Sequence, residues 1–347
     1  MSFSAQILCW FDKNKRSLPW RNDKDPYQIW LSEIILQQTK VIQGLPYYNK
    51  FIHAFPTIKH LANASEDEVL KLWQGLGYYS RARNLHYTAK EIVKKYNSVF
   101  PKDYKTILKL KGIGPYTAAA ITSFAYNLPY AVVDGNVIRL LSRYFGVQTS
   151  FDSSKGKKEF QLLAEELLIK EKAGKNNQAI MEFGALQCVP KSPNCSICPL
   201  QNECFAFNNN LVFQLPKRAK KLKIKKRFFD FLIITQNDKL FIQKRKKGIW
   251  KGLYQFPLIE HEEVKSERII KTSDTWRNMF EGATTTITKI SPQIKHQLTH
   301  QTIYARFWHI DANILLPKNT DCIRKEELIQ YPIPKLLEKY LKNIGII

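Results

Sequence analysis

Four of the six cysteines cluster in the spacing Cys-x6-Cys-x2-Cys-x5-Cys. They are Cys188, Cys195, Cys198 and Cys204, whereas Cys9 and Cys322 stand alone. Soft thiolate ligands select zinc or an iron–sulfur centre. Zinc modules usually have two close pairs separated by a long finger, which this single run lacks. The clustering therefore predicts a metal centre in a reducing compartment rather than a disulfide scaffold.

Two carboxylates stand in settings that suit acid–base chemistry. The first, Glu33, lies within residues 31–39, on a predicted helix that is apolar on most sides, so we expect its side chain to enter the interior. Burial raises the pKa of a carboxyl group, which suits a general acid. A structural ion pair with Arg16 or Arg21 is the alternative, and the helix alone favours that ion pair.

The second carboxylate, Asp134, follows the apolar run 130–133 and precedes Gly-Asn-Val-Ile-Arg, a clear helix start. Aspartate in that position is commonly an N-cap. The cap and a catalytic role are compatible, because a helix N-terminus also favours the ionised carboxylate.

A glycine-rich turn, Leu-x-Gly-x-Gly-x-x-Thr-Ala, separates two predicted helices. Gly112 and Gly114 allow a tight turn and the close approach of another backbone. The second helix begins at Pro115, and its free N–H groups and positive dipole end form an anion site. Taken alone, the turn is equally compatible with an ordinary helix–helix connection.

These segments resemble the adenine DNA glycosylase (MutY) family of the endonuclease III superfamily, and the likeness runs nearly end to end. It is carried by WLSEIILQQT, WQGLGYYSRARNL, GIGPYTAAAI and VDGNVIRLLSR. The resemblance implies that the four clustered cysteines hold a [4Fe–4S] cluster. It also implies that the glycine-rich turn is part of a helix–hairpin–helix that grips DNA phosphates.

The same resemblance assigns the catalytic roles. Glu33 is then the catalytic acid and Asp134 the second carboxylate, positioned by Asn136. Tyr116 stands where bifunctional relatives carry a lysine that forms a Schiff base, which implies an enzyme without strong AP lyase activity. The implied reaction is hydrolysis of the N-glycosidic bond of adenine mispaired with 8-oxoguanine or guanine, in base excision repair. Adenine must leave the base stack for this bond to be reached.

Further residues correspond to the family's base pocket and wedge. The pocket segment supplies Arg16, Leu18, Trp20 and Arg21. Gln178 stands where the family has Glu or Gln near the base edge, and Gln38 and Tyr78 correspond to the intercalating wedge. For any one aromatic residue the alternative is core packing, since the chain contains 20 Phe, 16 Tyr and 7 Trp.

The elements that must position these residues change in kind along the chain. In the first part, apolar residues recur at helical spacing and predict helices at 27–39, 66–76, 82–96, 104–110 and 116–126. In the last part, β-branched and aromatic residues predict strands at 228–235, 240–244, 284–290 and 302–310, and a closing helix at 334–344.

We therefore predict a mainly α glycosylase domain over residues 1–207, followed by an α+β Nudix-like domain over 228–347. The first domain contains the helix–hairpin–helix (about 104–126) and the iron–sulfur loop (188–204). A basic linker over 208–227 joins the two, and eight of its residues between 217 and 227 are Lys or Arg.

The resemblance assigns residues 228–347 to recognition of 8-oxoguanine opposite the target adenine. The family's Phe-Ser-His loop appears as Leu298, Thr299 and His300, so a hydroxyl and a ring donor are kept while the aromatic ring is lost. A strand turn with incidental polar residues is the alternative. No G-x5-E-x7-R-E-x2-E-E run occurs, so we expect no pyrophosphatase activity, which needs those carboxylates for Mg²⁺.

The charge balance favours a polyanionic partner. With 54 Lys and Arg against 30 Asp and Glu, the net charge is +24, and 44% hydrophobic residues exclude a disordered chain. Such a charge favours nucleic acid over a membrane surface. No membrane span or signal peptide is expected. We expect a monomeric cytoplasmic protein that binds double-stranded DNA containing A·8-oxoG or A·G mismatches, with the basic linker running along the duplex.

Three other functions compete with this interpretation. Tyr116 and the extra domain argue against a pyrimidine glycosylase/lyase like endonuclease III. A thymine glycosylase for G·T mismatches also resembles the hairpin, but it typically lacks the C-terminal domain. An iron–sulfur DNA-binding protein without activity is disfavoured only because Glu33 and Asp134 are both present.

Overall fold

The computed structural model describes residues 1–219, 224–314 and 320–347. Within these ranges the chain divides into two compact units. The first unit comprises residues 1–63 and 84–219, and the second comprises residues 64–83 with the described residues from 224 onward. Residues 64–83 thus group with the C-terminal part of the chain, although they lie inside the predicted helical domain.

Helices, with turns and loops between them, make up residues 1–208. They are α1 (Phe3–Asn14), α2 (Pro26–Leu36), α3 (Val41–Ala54), α4 (Ile58–Asn63), α5 (Glu66–Leu72), α6 (Ser80–Lys95), α7 (Tyr104–Leu108), α8 (Pro115–Tyr126), α9 (Gly135–Phe145), α10 (Ser154–Glu166), α11 (Ala173–Leu186) and α12 (Phe205–Asn208). The helix predicted at 27–39 ends earlier, at Leu36, because Gln38 has a φ of 56°, which a right-handed helix does not contain. No helix in the described ranges is long and apolar enough to cross a membrane.

Local sequence explains where several of these helices begin. Ser65 and Glu68 form a reciprocal capping box at the start of α5. The side chain of Asp103 accepts from the backbone N–H of Thr106 and caps α7, and Asp134 caps α9 as predicted. Each cap satisfies N–H groups that would otherwise lack partners, which typically stabilises a helix by about 1 kcal/mol.

The core of the first unit holds the site-bearing helices together. Buried apolar side chains from α1, α9, α10 and α11 form one cluster, with Phe183 of α11 and Leu140 of α9 among its members. A Cβ atom added at Gly184 would lie 2.6 Å from the carbonyl oxygen of Asn136. Because only glycine fits there, α11 lies directly against the start of α9.

A mixed sheet forms the centre of the second unit. Its strands are β1 (Lys225–Gln236), β2 (Lys239–Lys244), β3 (Tyr254–Gln255), β4 (Leu258–His261), β5 (Thr285–Ile290), β6 (Ile294–Gln297), β7 (Gln301–Ala312) and β8 (Asp321–Arg324). The strand order is β3-β2-β1-β7-β5, and β4, β6 and β8 pair with β1, β7 and β2 respectively. β1 and β7 run parallel, with Lys225 opposite Gln301, and the other pairs are antiparallel. The four predicted strands correspond to β1, β2, β5 and β7.

Helices cover both faces of this sheet. On one face, α13 (Glu267–Lys271) and α14 (Asp274–Phe280) pack on it, with the rings of Trp276 and Trp308 centred 5.8 Å apart. On the other, α15 (Lys335–Asn343), the predicted closing helix, stacks Tyr340 on Phe307 at 3.8 Å. The sheet is thus buried on both sides, which fits an α+β domain.

The basic stretch 217–227 contacts protein at both of its described ends. The backbone N–H of Phe151 donates to the carbonyl of Lys217 at 3.1 Å, and that of Lys225 donates to the carbonyl of His300 at 3.0 Å. This second hydrogen bond extends the β1–β7 pairing, so β1 begins inside the predicted linker. Lys225 also pairs with Glu262 at 3.2 Å. Residues 220–223 of the predicted linker lie outside the described residues.

Candidate active site

Glu33 lies in the interior of the first unit, on the buried face of α2, with 6% of its surface exposed. The hydroxyl of Tyr116 donates to its Oε2 at 2.7 Å. Burial raises the pKa of Glu33 to about 7, the charge of Asp134 adds to the rise, and the hydrogen bond from Tyr116 opposes it. The side chain is therefore a carboxylic acid with a proton available near neutral pH.

The second carboxylate is held in place by the helix that it caps. Oδ1 of Asp134 accepts from the backbone N–H groups of Asn136 (2.9 Å) and Val137 (2.8 Å), and Oδ2 accepts from the side-chain amide of Asn136 at 2.6 Å. These hydrogen bonds favour the ionised form, as expected of a cap. Burial is the larger effect, however, and it raises the pKa of Asp134 above its ordinary value, contrary to our expectation from the helix N-terminus.

Tyr116 completes the group as a hydrogen-bond donor. It lies in the first turn of α8, and burial raises the pKa of its hydroxyl well above the ordinary value, with the charges of Glu33 and Asp134 acting in the same direction. The hydroxyl therefore stays protonated at neutral pH. Tyr116, Glu33 and Asp134 together place a proton donor, a proton-carrying acid and a second carboxylate within interaction range.

The first unit also contains a cavity of about 570 Å³. All five residues that the resemblance assigns to base recognition line it: Arg16, Leu18, Trp20, Arg21 and Gln178. Ile29, one helical turn before Glu33 on α2, also lines the cavity, whereas Glu33 and Tyr116 are outside its lining. Ligand pockets commonly measure 300–1,000 Å³, so this one is wide enough for a flipped nucleobase.

Sequence reasoning missed Glu182, which organises the arginines of this cavity. Its side chain accepts five hydrogen bonds, from the backbone N–H and guanidinium of Arg16 and from the guanidinium of Arg21, at 2.7–3.1 Å. Burial opposes ionisation, but these hydrogen bonds outweigh it and lower the pKa of Glu182 to about 2. The ion pair considered for Glu33 is thus made by Glu182. Glu182 lies one helical turn after Gln178 on α11, and this spacing is the sequence signal that could have identified it as a site residue.

Helix α9 links Asp134 to the cysteine loop. Arg139, one turn into α9, donates to Oδ1 of Asn136 at 2.9 Å and to the carbonyl of Cys188 at 2.7 Å. One turn further, Arg143 donates to Sγ of Cys188 at 3.4 Å and to the carbonyl of Val189 at 2.8 Å. The two arginines hold the first clustered cysteine against the helix that Asp134 caps.

All four clustered cysteines line one small cavity, together with Arg143. Burial raises the pKa of the Cys198 thiol to about 11, and burial likewise raises those of Cys195 and Cys204. No three His, Cys, Asp or Glu side chains in the described part of the chain are grouped tightly enough for a single metal ion. Zinc would need thiolates about 2.3 Å from one ion. Four soft thiols spaced around a cavity fit a larger polynuclear centre better.

The hairpin has the geometry that its glycines predict. Gly112 has a φ of 82°, and a Cβ atom there would lie 2.7 Å from Cβ of Asn84 on α6. Gly114 is the N-cap of α8 and has open space around it. The first turn of α8 can therefore present its free N–H groups to a phosphate.

Both predicted wedge residues have unusual backbone conformations. Gln38 has a φ of 56° and is exposed, and Tyr78 has a φ of 47° with 43% of its surface exposed. A left-handed conformation costs a residue with a side chain free energy, and such strain clusters at functional sites. Each residue lies in its own unit, Gln38 in the first and Tyr78 in the second.

The predicted recognition loop is the turn between β6 and β7. The backbone N–H of Leu298 donates to the carbonyl of Gln301 at 2.8 Å, and Thr299 and His300 are exposed at the tip. Within the second unit, the hydroxyl of Tyr78 donates to Oγ1 of Thr299 at 2.5 Å. The segment is therefore a strand turn with a polar tip, and Tyr78, the predicted wedge residue, contacts it.

Comparison with known proteins identifies the class. Residues 31–168 match the HhH-GPD superfamily of base excision DNA repair proteins, and residues 231–343 match the NUDIX domain family. The fold and the site define a DNA glycosylase with a helical HhH-GPD domain followed by an α+β Nudix-like domain, and this confirms the predicted fold class.

Relatives along the whole chain identify the family. The adenine DNA glycosylase of Buchnera aphidicola subsp. Baizongia pistaciae is 39% identical over 326 residues, covering 92% of this chain and 89% of the relative. That of subsp. Acyrthosiphon pisum is 36% identical and covers 99% and 98%. The human adenine DNA glycosylase is 40% identical over 59% of this chain and 39% of its own length. The chain belongs to the adenine DNA glycosylase family.

Solved structures resemble the helical part. A thermostable thymine-DNA glycosylase superposes with a TM-score of 0.55 at 30% identity, covering 60% of this chain and 95% of its own. Endonuclease III in a non-covalent complex with DNA gives 0.52 at 22% identity, covering 60% and 94%, and shows the shared fold. The Nudix-like domain and the end-to-end relatives place this chain with the adenine enzymes of base excision repair rather than with either of these.

Glu182→Gln tests whether the buried carboxylate holds the two arginines. Removing the carboxylate leaves Arg21 and the 34%-exposed Arg16 without their partner, so we expect the free energy of unfolding at pH 7 to fall by at most about 3 kcal/mol, because solvent screens part of the loss at Arg16. Because the folded pKa of Glu182 is lowered to about 2 from 4.5, its stabilisation is complete above pH 4.5 and is lost as the pH falls toward 2. Urea unfolding between pH 3 and 7 should show the two proteins converging in acid, and a constant difference would contradict this assignment.

Proposed function

We propose that this adenine DNA glycosylase hydrolyses the N-glycosidic bond of adenine opposite 8-oxoguanine or guanine, without a lyase step. The observation that carries the proposal is Glu33, a buried acid with a pKa of about 7 that is hydrogen-bonded to Tyr116 and close to Asp134. A general acid is most effective when its pKa lies near the working pH. The cavity lined by Arg16, Trp20 and Gln178 supplies space for the flipped base.

In the proposed mechanism, Glu33 donates its proton to N7 of adenine as the glycosidic bond breaks, and adenine leaves as a neutral base. Asp134 stabilises the oxocarbenium-like sugar, with Asn136 and Val137 holding its carboxylate in place. Water then adds to C1′ while Glu33 takes up the released proton, which restores the enzyme. The sequence of steps parallels that of a retaining glycosidase.

The absence of an amine at position 116 supports a monofunctional enzyme. Strand cleavage by β-elimination begins when a lysine forms a Schiff base with C1′. Here the position carries Tyr116, whose hydroxyl is engaged with Glu33. The hydroxyl of Tyr116 therefore shifts the pKa of Glu33 and does not attack C1′ of the sugar.

The four clustered cysteines are proposed to hold a [4Fe–4S] cluster. When bound, the cluster cross-links residues 188–204, and Arg139 and Arg143 connect Cys188 to α9. The thiols carry no disulfide, and the described cysteines are all free. We accordingly place the protein in a reducing bacterial cytosol.

DNA contacts follow from the same geometry. We propose that the N–H groups near Gly114 bind a phosphate. Gln38 and Tyr78 are the proposed intercalating wedge residues. The proposed contacts to 8-oxoguanine come from the loop of Leu298, Thr299 and His300. Unstacking costs a few kcal/mol, and the aromatic face of Tyr78 partly offsets that cost. The Tyr78–Thr299 hydrogen bond supports the link between wedge and recognition loop.

The reaction is tested by product analysis on duplexes containing A·8-oxoG, A·G, T·G or an abasic site. We expect free adenine from the first two, an intact strand before alkali treatment, and no reaction with the others. Glu33→Gln and Asp134→Asn should each lower the rate at least 100-fold, since a positioned acid or base contributes about 10²–10⁴-fold. Strand nicking by the wild-type protein, or normal turnover in both variants, would refute the mechanism.

The pH dependence of single-turnover adenine release tests the role of Tyr116. Since Glu33 must be protonated to act, the rate should fall as the pH rises through about 7. The hydrogen bond from Tyr116 lowers the pKa of Glu33, so Tyr116→Phe should move this basic limb to higher pH. Tyr126→Phe, which removes a hydroxyl bound to the carbonyl of Phe100, serves as the control and should leave the limb in place. An unmoved limb in Tyr116→Phe would argue against the assignment.

Iron analysis tests the cluster. Protein purified without oxygen should be brown and contain four irons and no stoichiometric zinc, because soft thiolates favour such a centre. Cys198→Ser should lose iron, whereas Cys322→Ser, outside the cluster, should retain it. One zinc per chain in the native protein would overturn the proposal.

A further inference from the structure

A row of four side chains, which we call the aromatic row, crosses one face of the sheet near the start of β1. Phe228 of β1 lies opposite Tyr304 of β7 on one side and opposite His261 of β4 on the other. Tyr304 in turn lies opposite Lys295 of β6. Side chains at opposite positions of neighbouring strands point to the same face of a sheet. Four adjacent strands therefore contribute one side chain each to the aromatic row.

The two rings at the centre of the aromatic row are stacked on each other and remain partly open to solvent. The ring centroids of Phe228 and Tyr304 are 5.2 Å apart, and the ring planes differ by 15°. Rings at this spacing are offset, so each leaves part of its face uncovered by the other. Both residues are half-buried, whereas Leu232 and Trp308, further along the same face, are fully buried against α13 and α14. The packing of these helices thus ends before the aromatic row.

Two exposed lysines flank the rings. Lys295 ends the aromatic row, and Lys226, two residues before Phe228 on β1, points to the same face. In the described part of the chain, neither lysine forms an ion pair. Asp230, the next residue of β1 on this face, is buried and already paired with Arg306 at 2.7 Å. The surface beside the rings therefore carries positive charge that this carboxylate does not neutralise.

Partly open rings beside unpaired cations fit a single nucleic-acid strand. Base–aromatic stacking and contacts from cations to phosphates are the interactions by which proteins bind single strands without reading their sequence. Four-stranded sheets with aromatic residues on one face bind unpaired bases in this way. A role in strand pairing alone would require the two rings but not the unpaired lysines beside them. The basic stretch 217–227 runs into β1 and adds positive charge next to the aromatic row.

We propose that the aromatic row and Lys226 form a binding site for single-stranded DNA, made of residues other than those proposed to bind the mispair. Unpaired bases stack on Phe228 and Tyr304, and the phosphates on either side contact Lys295 and Lys226. The site retains the protein on DNA in which an unpaired stretch adjoins the duplex. This inference goes beyond the proposed function and does not depend on it, because it involves neither Glu33 nor any other residue of the proposed reaction.

The role of the rings is tested with a fluorescein-labelled oligothymidylate about 12 nucleotides long, a length within the usual range of single-strand sites. It contains no adenine and forms no duplex with itself, so fluorescence anisotropy reports single-strand binding alone. Phe228→Val combined with Tyr304→Val removes both rings and keeps residues that favour strands. We expect this double variant to bind at least about tenfold more weakly than the wild type. Phe213→Val, which removes a 77%-exposed ring of the first unit, is the control and should bind normally.

The role of the lysines is tested by the salt dependence of the same binding. Each phosphate contact to a single strand contributes about 0.7 to the slope of log K against log[salt]. Lys295→Gln should therefore reduce the steepness of the slope by about 0.7. Lys239→Gln is the matched control, because Lys239 is also an exposed lysine of the sheet but lies opposite Gln236, at the other end of β1. Its slope should equal that of the wild type.

Photocrosslinking locates the bound strand. An oligothymidylate with one 5-iodouracil near its centre is irradiated with the wild-type protein, and mass spectrometry identifies the crosslinked residue. We expect crosslinks at Phe228 or Tyr304. Crosslinks confined to the first unit, or equal affinity of the wild type and the double variant, would overturn the inference.

Adenine release keeps this inference separate from the proposed function. The double variant should release adenine from a short duplex containing A·8-oxoG at the wild-type rate. A wild-type protein that releases no adenine would refute the proposed function and leave the single-strand result standing. If the double variant does not fold, Lys226→Gln combined with Lys295→Gln decides the question, and affinity equal to that of Lys239→Gln would overturn the inference.

Discussion

The burial of Glu33 is the constraint on which the rest of the site depends. A carboxylate removed from water is costly to ionise, and this cost raises the pKa of Glu33 to about 7. An arginine paired with it would cancel the rise and remove the proton at neutral pH. The two arginines nearby, Arg16 and Arg21, are bound instead by Glu182. Both guanidinium groups pair with Glu182, and Glu33 accepts its hydrogen bond from the hydroxyl of Tyr116, while the charge of Arg21 lowers the pKa of Glu33 to a smaller extent.

Helix α9 connects the second carboxylate, Asp134, to the distant residue Cys188. Asp134 caps its first turn, while Arg139 connects Asn136 in that turn to the backbone of Cys188. The same helix therefore sets the position of the proposed second carboxylate and that of the first clustered cysteine. Close packing of α11 at Gly184 leaves little room for α9 to move independently. Hydrogen bonds thus connect the cysteine loop to the first turn of α9 through Arg139.

Features encoded by neighbouring residues were predictable from the sequence, and features made by distant residues were not. The hairpin glycines, the cap at Asp134 and the four longer strands follow from local patterns. Strands of two to four residues, such as β3 and β4, carry too little periodicity to be recognised. Glu182 meets Arg16 across 166 residues, and Asp67 meets Lys244 across 177, so no local pattern indicates either pair. The net rise in the pKa of Asp134 likewise depends on burial by the whole unit.

Titration of Glu33 shows directly whether this side chain is a buried acid with a pKa near neutrality. Protein labelled with ¹³C at the glutamate side-chain carboxyls can be titrated by NMR between pH 4 and 9, with the Glu33 signal assigned by its loss in Glu33→Gln. For a buried Glu33 we expect a midpoint at about 7 for this signal. A midpoint near 4.5, the ordinary value for glutamate, would show a solvated or ion-paired carboxylate and refute the proposed general acid.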